Sequence, residues 1–233
     1  MKNDRTFLEK LLDGAKVEWK ELGDVVEMKR GQSITAKNVK DGNIPVISGG
    51  QKPAYYHNES NRKGRTITVA GSGAYAGFIM FWDKPIFVGD AFSIKSEDSI
   101  LDLKYVYYFL LQNQQKIYGL KKGSGVPHVY PKDLAKLIIP IPPLEIQQKI
   151  VKVLDKFTEL EAELALRTKQ YEYYRNQLLT FDNISDRGGT RLIQSSKPCK
   201  STVLRWFLRL WERLQKFREG RLLDLFHNIL QKI

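Results

Sequence analysis

Two glycine-rich stretches contain the residue types that could bind a nucleotide phosphate. They are VAGSGAYAGF, residues 69–78, and KKGSGVPHVYPKDL, residues 121–134. A P-loop requires G-x-x-x-x-G-K-[ST], because its lysine must reach the phosphates and its hydroxyl must bind Mg²⁺. In the second stretch the lysines precede the glycines, and Pro127 follows them, which blocks a helix N-terminus directly after the loop. Neither stretch therefore predicts nucleotide binding.

Residues that commonly carry catalysis or bind metals are few and scattered. The three histidines, His57, His128 and His227, lie far apart in the sequence, and no H-E-x-x-H zinc motif or G-x-S-x-G nucleophile motif occurs. Asp83 and Asp90 flank strand-like runs and are interpreted as turn residues. The sequence therefore predicts neither a catalytic residue nor a metal site in this chain.

Two further loops, residues 28–37 (MKRGQSITAK) and 48–65 (SGGQKPAYYHNESNRKGR), combine basic, amide and aromatic side chains. Lys and Arg bind phosphate or guanine, and Gln and Asn bind adenine, so these residue types suit a DNA interface. Each of them is also typical of an ordinary solvated loop. The candidate DNA-binding residues in these loops and in the two glycine stretches are Lys29, Arg30, Gln32, Ser33, Lys37, Gln51, Lys52, Tyr55, Tyr56, Arg62, Lys63, Arg65, Ser72, Tyr75, Lys121, Lys122, Ser124 and His128.

The net charge of +12 is spread unevenly along the chain. Residues 1–142 carry 21 basic and 15 acidic side chains, residues 143–185 carry 6 and 7, and residues 186–233 carry 11 and 4. A basic excess on a globular domain indicates a polyanionic partner, most simply double-stranded DNA. The alternative is a charge surplus that serves only solubility.

The N-terminus and the composition indicate where in the cell the protein is expected. MKNDRTFLEK lacks the apolar core of a signal peptide, and no run approaches the roughly 18 apolar residues of a membrane span. Cys199 is the single cysteine, which excludes an intrachain disulfide. We therefore expect a soluble, cytoplasmic protein without a membrane partner.

The elements that must position these loops have mixed α and β character, and we predict an α+β fold. Short β-rich runs separated by Gly, Pro and Asn predict strands at residues 44–48, 66–70, 78–82, 86–88 and 137–141. Asp102 is suited to cap a helix whose apolar face continues to about Ile117, and a further helix is predicted around residues 5–12.

A change of pattern follows Pro142 and Pro143. Apolar residues recur at heptad spacing, and no Gly or Pro occurs between Leu144 and Phe181, which predicts a continuous helix of some 36 residues, roughly 54 Å long. Such a seam favours a coiled coil, whereas a core helix of a larger domain is the alternative. The predicted partner-helix residues are Ile150, Val153, Phe157, Leu160, Leu164, Tyr171, Tyr174 and Leu178.

The last segment, residues 183–233, begins as a linker rich in Gly, Ser and Asp and ends in two basic amphipathic stripes separated by Gly220. Ser201 or Thr202 can cap the first of two predicted helices. They suit a helical hairpin, a membrane surface or a partner helix.

A family resemblance emerges from the order of several motifs. These are W-x-x-L-G-D at residues 19–24, K-R-G at 29–31, IPVISGG at 44–50, the strand–GSG–strand block at 69–82, GSGVPH at 123–128 and the run LIIPIPPLEIQQKI at 137–150. Together they resemble the specificity (S) subunit of Type I restriction–modification systems over residues 17–181. The most specific part is IPIPPLEIQQKI leading into a coiled coil.

The resemblance implies a non-catalytic chain with a target recognition domain at 1–142, a coiled-coil spacer helix at 143–182 and an added tail at 183–233. Such a chain recognises half of a bipartite DNA target and docks methyltransferase (M) subunits, which use S-adenosylmethionine. A restriction (R) subunit, contacted indirectly, uses ATP and Mg²⁺, so none of these cofactors would belong to this chain.

A departure from the family pattern points to a homodimer. A full S subunit has two recognition domains and two helices, whereas this chain has one of each, so a homodimer through the long helix would restore the pattern. The tail is either a dimerisation element or a remnant of a longer gene. The alternatives are a coiled-coil assembly or regulatory protein without sequence readout of its own, and a fused endonuclease.

Overall fold

The computed structural model describes residues 11–12, 14–97 and 99–179. The predicted tail at 183–233 lies outside these residues, and so does the predicted N-terminal helix apart from Leu11 and Leu12, which are helical. The strands are β1 (Glu18–Glu21), β2 (Val26–Arg30), β3 (Ile44–Ile47), β4 (Tyr55–His57), β5 (Arg65–Ala70), β6 (Ile79–Asp83), β7 (Phe87–Val88), β8 (Ala91–Ser96) and β9 (Ile138–Ile141). The helices are α1 (Leu22–Val25), α2 (Leu103–Gln112), α3 (Gln114–Gly119), α4 (Pro131–Leu134) and α5 (Leu144–Leu179), with a 3₁₀ turn at Ala36–Asn38.

The strands form three sheets, and the α+β prediction is confirmed. The largest sheet has the order β2-β8-β5-β6 and is antiparallel throughout. A second sheet, β4-β3-β7, combines an antiparallel and a parallel pair, and β1 pairs with β9. All five predicted strands are present within one residue or two of their expected limits, because β-branched and aromatic residues dominate them.

The core lies around β3, β5 and β8, whose consecutive residues are almost all buried. Ile67, Val69 and Ile94 are fully buried in the central strands of the large sheet. Next to them, Ile47, Ile86, Val88 and Ala91 form a cluster against which Met80 and Trp82 pack. This cluster joins the second sheet to the first, so the loops that leave both sheets start from a common rigid base.

The helix predicted after Asp102 forms, but it is divided. The Asp102 carboxylate accepts hydrogen bonds from the backbone N–H groups of Lys104 (2.7 Å) and Tyr105 (3.2 Å), as a helix N-cap should. The prediction of one helix to about Ile117 is wrong, because Asn113 separates α2 from α3. Both its backbone N–H (3.2 Å) and its side-chain amide (2.9 Å) donate to the Phe109 carbonyl, so the side chain adds a second bond at the end of α2.

The pairing of β1 with β9 brings the first and last strands of the domain side by side. Two more backbone bonds, from Leu22 to the Leu137 carbonyl (2.8 Å) and from Gly23 to the Ala135 carbonyl (2.9 Å), extend this contact into α1. Pro142 and Pro143 then end β9, and α5 begins at Leu144. The predicted continuous helix is confirmed, since α5 contains 36 residues.

The start of α5 is held in the domain by one buried glutamine. Gln147 is fully buried, and its amide nitrogen donates to the carbonyls of Pro142 (2.8 Å) and Ile100 (3.1 Å). Its amide oxygen accepts from the backbone N–H of Asp102 (2.9 Å). A single side chain therefore joins β9, the segment before α2 and the first turn of α5.

The described residues fall into two compact units that divide between Leu154 and Asp155. In the first unit, the apolar residues of α5 that lie nearest its start, Ile146, Ile150 and Val151, are buried. In the second unit, five predicted seam residues are exposed within this chain: Leu160, Leu164, Tyr171, Tyr174 and Leu178. The coiled coil and the functional boundaries at 142 and 182 stay predictions.

Candidate nucleic-acid interface

Loops that are distant in sequence meet at one end of the large sheet. β2 ends at Arg30, β5 ends at Ala70 and β8 begins at Ala91, and the strand register places these ends together. The connecting backbone is bonded across the loops, from Gly31 to Ala91 (2.9 Å), from Gln32 to Val88 (2.9 Å), from Gly71 to Asp90 (3.3 Å) and from Gly89 to Ile47 (2.7 Å). We call residues 30–33, 48–54, 71–75, 88–91 and 121–130 together the loop face.

Two glycines of the loop face allow backbones to approach more closely than any side chain permits. A Cβ atom at Gly31 would lie 2.2 Å from the carbonyl oxygen of Gly89. A Cβ atom at Gly49 would lie 2.5 Å from the carbonyl oxygen of Ser72, so the loop that follows β3 contacts the loop that follows β5 directly. Gly31 and Gly49 thus allow the loops to pack directly against one another.

The stretch 121–134 forms a bridged turn. Lys122 and His128 exchange both backbone hydrogen bonds, at 2.9 and 2.8 Å, and Gly123 adopts a positive φ of 107° between them. The bridge is tied to the loop after β5, because Gly73 donates to Pro127 (3.0 Å) and Val129 donates to Gly71 (3.0 Å). The tip at residues 123–126 is exposed.

The two lysines of this stretch have partners inside the protein. The Lys122 ammonium lies 2.8 Å from a carboxylate oxygen of Asp133, and this hydrogen bond holds the pKa of Asp133 below its usual range. The Lys121 ammonium donates to the Ala74 carbonyl (3.1 Å) and lies 4.6 Å from the Tyr118 ring centroid. These contacts orient the lysines, while the Lys122 side chain keeps 58% of its surface exposed.

A polar cavity of about 150 Å³ opens in the middle of the loop face. Arg30, Ser33, Asp90, His128 and Tyr130 are among its lining residues. The Tyr130 ring is stacked on His128, with centroids 6.0 Å apart, and the Arg30 guanidinium lies 5.8 Å from the same ring. The Ser72 hydroxyl donates to the Asp90 carboxylate at the rim. Sequence reasoning placed Asp90 in a turn and did not identify it as a site residue.

Most of the predicted DNA-binding residues are exposed and without internal bonds. Their side chains make no hydrogen bond or ion pair with any residue that the structure describes, and this group comprises Lys29, Arg30, Gln32, Ser33, Lys37, Gln51, Lys52, Tyr55, Tyr56, Tyr75 and Ser124. All but Lys29, Lys37, Tyr55 and Tyr56 lie within the loop face. Tyr55 and Tyr56 begin β4 directly after it, and Lys29 directly precedes it.

Lys63 and Arg65 are placed elsewhere. Arg65 begins β5 opposite Asp83, whereas Gly71 follows the other end of that strand. The Arg65 guanidinium lies 3.9 Å from the Asp102 carboxylate, and the Lys63 carbonyl accepts a hydrogen bond from Lys95 (2.8 Å). Six strand residues rise roughly 20 Å, so Arg65 lies far from the loop face. The bond from Lys95 places Lys63 beside the last residues of β8, towards the same end of the sheet as Arg65.

The Arg62 guanidinium makes hydrogen bonds inside the fold. Its guanidinium donates to the Ser93 hydroxyl (2.7 Å) and to the carbonyls of Asn61 (2.8 Å) and Arg30 (2.9 Å). These bonds tie the loop before β5 to the end of β2, where Lys29 and Arg30 are presented. The arrangement favours a structural role for Arg62 over the predicted direct DNA contact.

We expect Arg62→Lys to lower the free energy of unfolding by about 1–2 kcal/mol, because lysine keeps the charge but cannot reproduce the planar fork. Chemical denaturation of the full chain measures this change. Arg30→Lys is the matched control, since the Arg30 guanidinium makes no hydrogen bond to a described residue, and it should leave stability unchanged. Equal free energies of unfolding for the two variants would show that the hydrogen bonds of the Arg62 guanidinium do not stabilise the fold.

The described residues contain neither a cluster of metal ligands nor a membrane-spanning helix. No group of three or more His, Cys, Asp or Glu side chains is arranged to hold a metal ion among residues 11–12, 14–97 and 99–179. Over the same residues, none of the helices combines the length and the apolar character needed to cross a bilayer.

The chain is similar to known proteins of one family. Residues 15–170 match the model of the Type I restriction modification DNA specificity domain. The chain is 32% identical over 202 residues to a putative type I restriction enzyme specificity subunit of Haemophilus influenzae, covering 79% of this chain and 52% of that protein. It is 35% identical over 202 residues to the EcoR124I/EcoR124II specificity subunit of Escherichia coli, covering 77% and 48%. The chain thus spans about half the length of these relatives.

A solved structure agrees with the sequence relatives. The S subunit of a Type I restriction–modification system from M. genitalium is similar with a TM-score of 0.58 at 23% identity, covering 73% of this chain and 48% of that one. At this identity the likeness concerns the fold alone, and that fold includes the long helix after the mixed domain.

Proposed function

The chain belongs to the family of type I restriction–modification specificity subunits, and from this we propose that it recognises one half of a bipartite DNA target and docks methyltransferase subunits. The observation that carries the proposal is the loop face. Four loops from two sheets converge there with the segment between α3 and α4, and they present exposed basic, amide and aromatic side chains without internal partners.

The chemistry of the loop face suits duplex DNA. Lys29, Arg30 and Lys52 have ammonium or guanidinium groups with no described acceptor, so their charges are available to phosphates or guanine. Gln32 and Gln51 carry amides that can pair with adenine. Because the glycine contacts and backbone bonds fix the loops to one another, little ordering is needed on binding.

Two copies of this chain would form the complete subunit. The chain covers about half of its relatives, and its long helix has an apolar seam that stays exposed beyond Leu154. A second copy offers an identical seam, and a two-fold dimer would recognise a palindromic, gapped site. In this proposal S-adenosylmethionine belongs to the methyltransferase subunits, ATP and Mg²⁺ belong to the restriction subunit, and this chain carries no catalytic step.

The test is co-purification with the methyltransferase subunit encoded beside it, followed by mapping of methylated sites in genomic DNA. A palindromic, gapped motif is expected, and the complex should bind that motif at least a thousandfold more tightly than random duplex at physiological salt, as specific DNA-binding proteins do. Equal affinity for random duplex would refute sequence recognition. It would favour a regulatory or assembly role instead.

The double variant Lys29→Gln/Lys52→Gln should weaken binding to all sequences, since it removes two exposed ammonium groups that are available to phosphates. The slope of log K against log salt should become shallower by about 1.8. Binding titrations at four or more salt concentrations measure it.

The control is Lys63→Gln/Lys84→Gln, the same charge change at the opposite end of the sheet. Its salt slope should equal that of the unmodified chain. A shallower slope in this control, with no change in Lys29→Gln/Lys52→Gln, would move the DNA contact away from the loop face.

A further inference from the structure

An acidic residue lies in the middle of the basic loop face. Asp90 joins β7 to β8, is exposed, and lines the same cavity as Arg30 and His128. Its position is fixed from both sides, because Gly71 donates to its carbonyl (3.3 Å) and the preceding Gly89 donates to Ile47 (2.7 Å). The carboxylate is therefore presented by rigid backbone.

Asp90 lacks the cation that would normally neutralise it. Its carboxylate accepts one hydrogen bond, from the Ser72 hydroxyl, although an ionised carboxylate offers about four acceptor positions. Arg30 lines the same cavity, yet no ion pair joins the two among the described residues. Asp133, also near the loop face, shows the contrast, because it is paired with Lys122 at 2.8 Å.

An unpaired carboxylate on a DNA-binding surface repels phosphate, so its favourable ligand must be a hydrogen-bond donor. In the major groove the donors are the exocyclic amino groups, N4 of cytosine and N6 of adenine, and carboxylates accept from them. An arginine in the same cavity can meanwhile donate to O6 and N7 of a guanine. Together the cavity offers an acceptor and donors, as the edge of a cytosine–guanine pair requires.

We propose that Asp90 determines sequence specificity by accepting a hydrogen bond from the exocyclic amino group of one base in the recognised half-site. The inference rests on the proposed DNA recognition and goes beyond it by assigning one residue to one chemical group. Asp90 discriminates between bases and contributes no attraction to the phosphates.

The first experiment compares methylated motifs in the full complex. Asp90→Ala, which removes the acceptor, should relax the motif at a single position of each half-site that carries an amino group, with roughly a 5- to 150-fold loss of discrimination there. Affinity for random duplex should stay equal or rise, because a negative charge is removed. Asp83→Ala, at an exposed acid at the far end of the sheet, should leave the motif unchanged.

The second experiment removes the amino group from the DNA. Duplexes carry purine in place of adenine, or 2-pyrimidinone in place of cytosine, one position at a time. The unmodified complex should lose about 5- to 150-fold in affinity at one position, and Asp90→Ala should lose no more there. The analogue that weakens binding identifies the base as adenine or cytosine.

The outcomes separate this inference from the proposed function. If the unmodified complex recognises no motif, the proposed function fails. If a motif exists but Asp90→Ala keeps it and every analogue affects Asp90→Ala as it affects the unmodified complex, the Asp90 assignment fails. If Asp90→Ala loses the motif and also lowers the melting temperature of the full chain, Asp90 serves loop structure and the assignment fails as well.

Discussion

Gln147→Ala should lower the melting temperature of the unit that ends at Leu154 by roughly 10 °C, corresponding to about 3 kcal/mol in the free energy of unfolding. The side chain is fully buried and makes three hydrogen bonds. Its removal leaves the buried Pro142 carbonyl and the partly buried Asp102 N–H and Ile100 carbonyl without these bonds, and an unsatisfied buried group costs about 1–3 kcal/mol. Differential scanning calorimetry of the full chain measures the shift.

The neighbouring Gln148 provides the control, because it is exposed and Gln148→Ala should change stability by less than about 0.5 kcal/mol. A second variant, Gln147→Glu, keeps an oxygen that accepts from the Asp102 N–H. It replaces the amide nitrogen, which donates to two carbonyl oxygens, by a carboxyl oxygen that can ionise. It should be least stable at high pH, where the buried carboxyl is charged, and recover as protonation restores one donor. Equal melting of Gln147→Ala and Gln148→Ala would show that the glutamine is dispensable.

Leu164→Glu/Tyr171→Glu should convert the proposed homodimer into monomers. Both positions lie on one seam of α5, seven residues apart, and both are exposed within the single chain. In a two-fold pair, four apolar side chains would lose their burial, at about 1.5 kcal/mol or more each, so the dissociation constant should rise at least about a thousandfold. Analytical ultracentrifugation at micromolar concentration measures the mass.

The helix offers a closely matched control in Leu166→Glu/Tyr173→Glu. It makes the same two changes at the same spacing, on exposed residues that lie two positions away from the seam. This variant should remain dimeric and keep its DNA affinity. A monomeric unmodified chain, or equal dissociation of both variants, would contradict pairing through this seam.

The sequence predicted the elements whose patterns are local. A double proline, a sustained heptad and the lack of glycine defined α5 almost to the residue. β1 and β2 could not be predicted, because EWKE and VEMKR are charged and mostly exposed, and their strand character comes from partners far along the chain.

In the candidate site, too, the sequence predicted what depends on local residue types but not what depends on contacts between distant residues. The residue types of the loops indicated DNA, but type could not separate Arg62, whose guanidinium is used internally, from Arg30, whose guanidinium is not. Asp90 and Gln147 acquire their roles from neighbours that are 18 and 45 residues away in sequence. Only the folded arrangement brings these groups together.

The pairing of β1 with β9 has a consequence for how such a chain can change over time. All residues between Leu22 and Leu137 form an excursion that starts and ends on one two-stranded stem. Loops of this excursion that do not contact the start of α5 can lengthen, shorten or be exchanged without altering the junction that leads into that helix. The segment from Ile100 to Asp102 must be kept, because Gln147 bonds to it. Under the proposed function, new target preferences can thus be acquired by replacing loops while the parts proposed to engage partner subunits stay compatible.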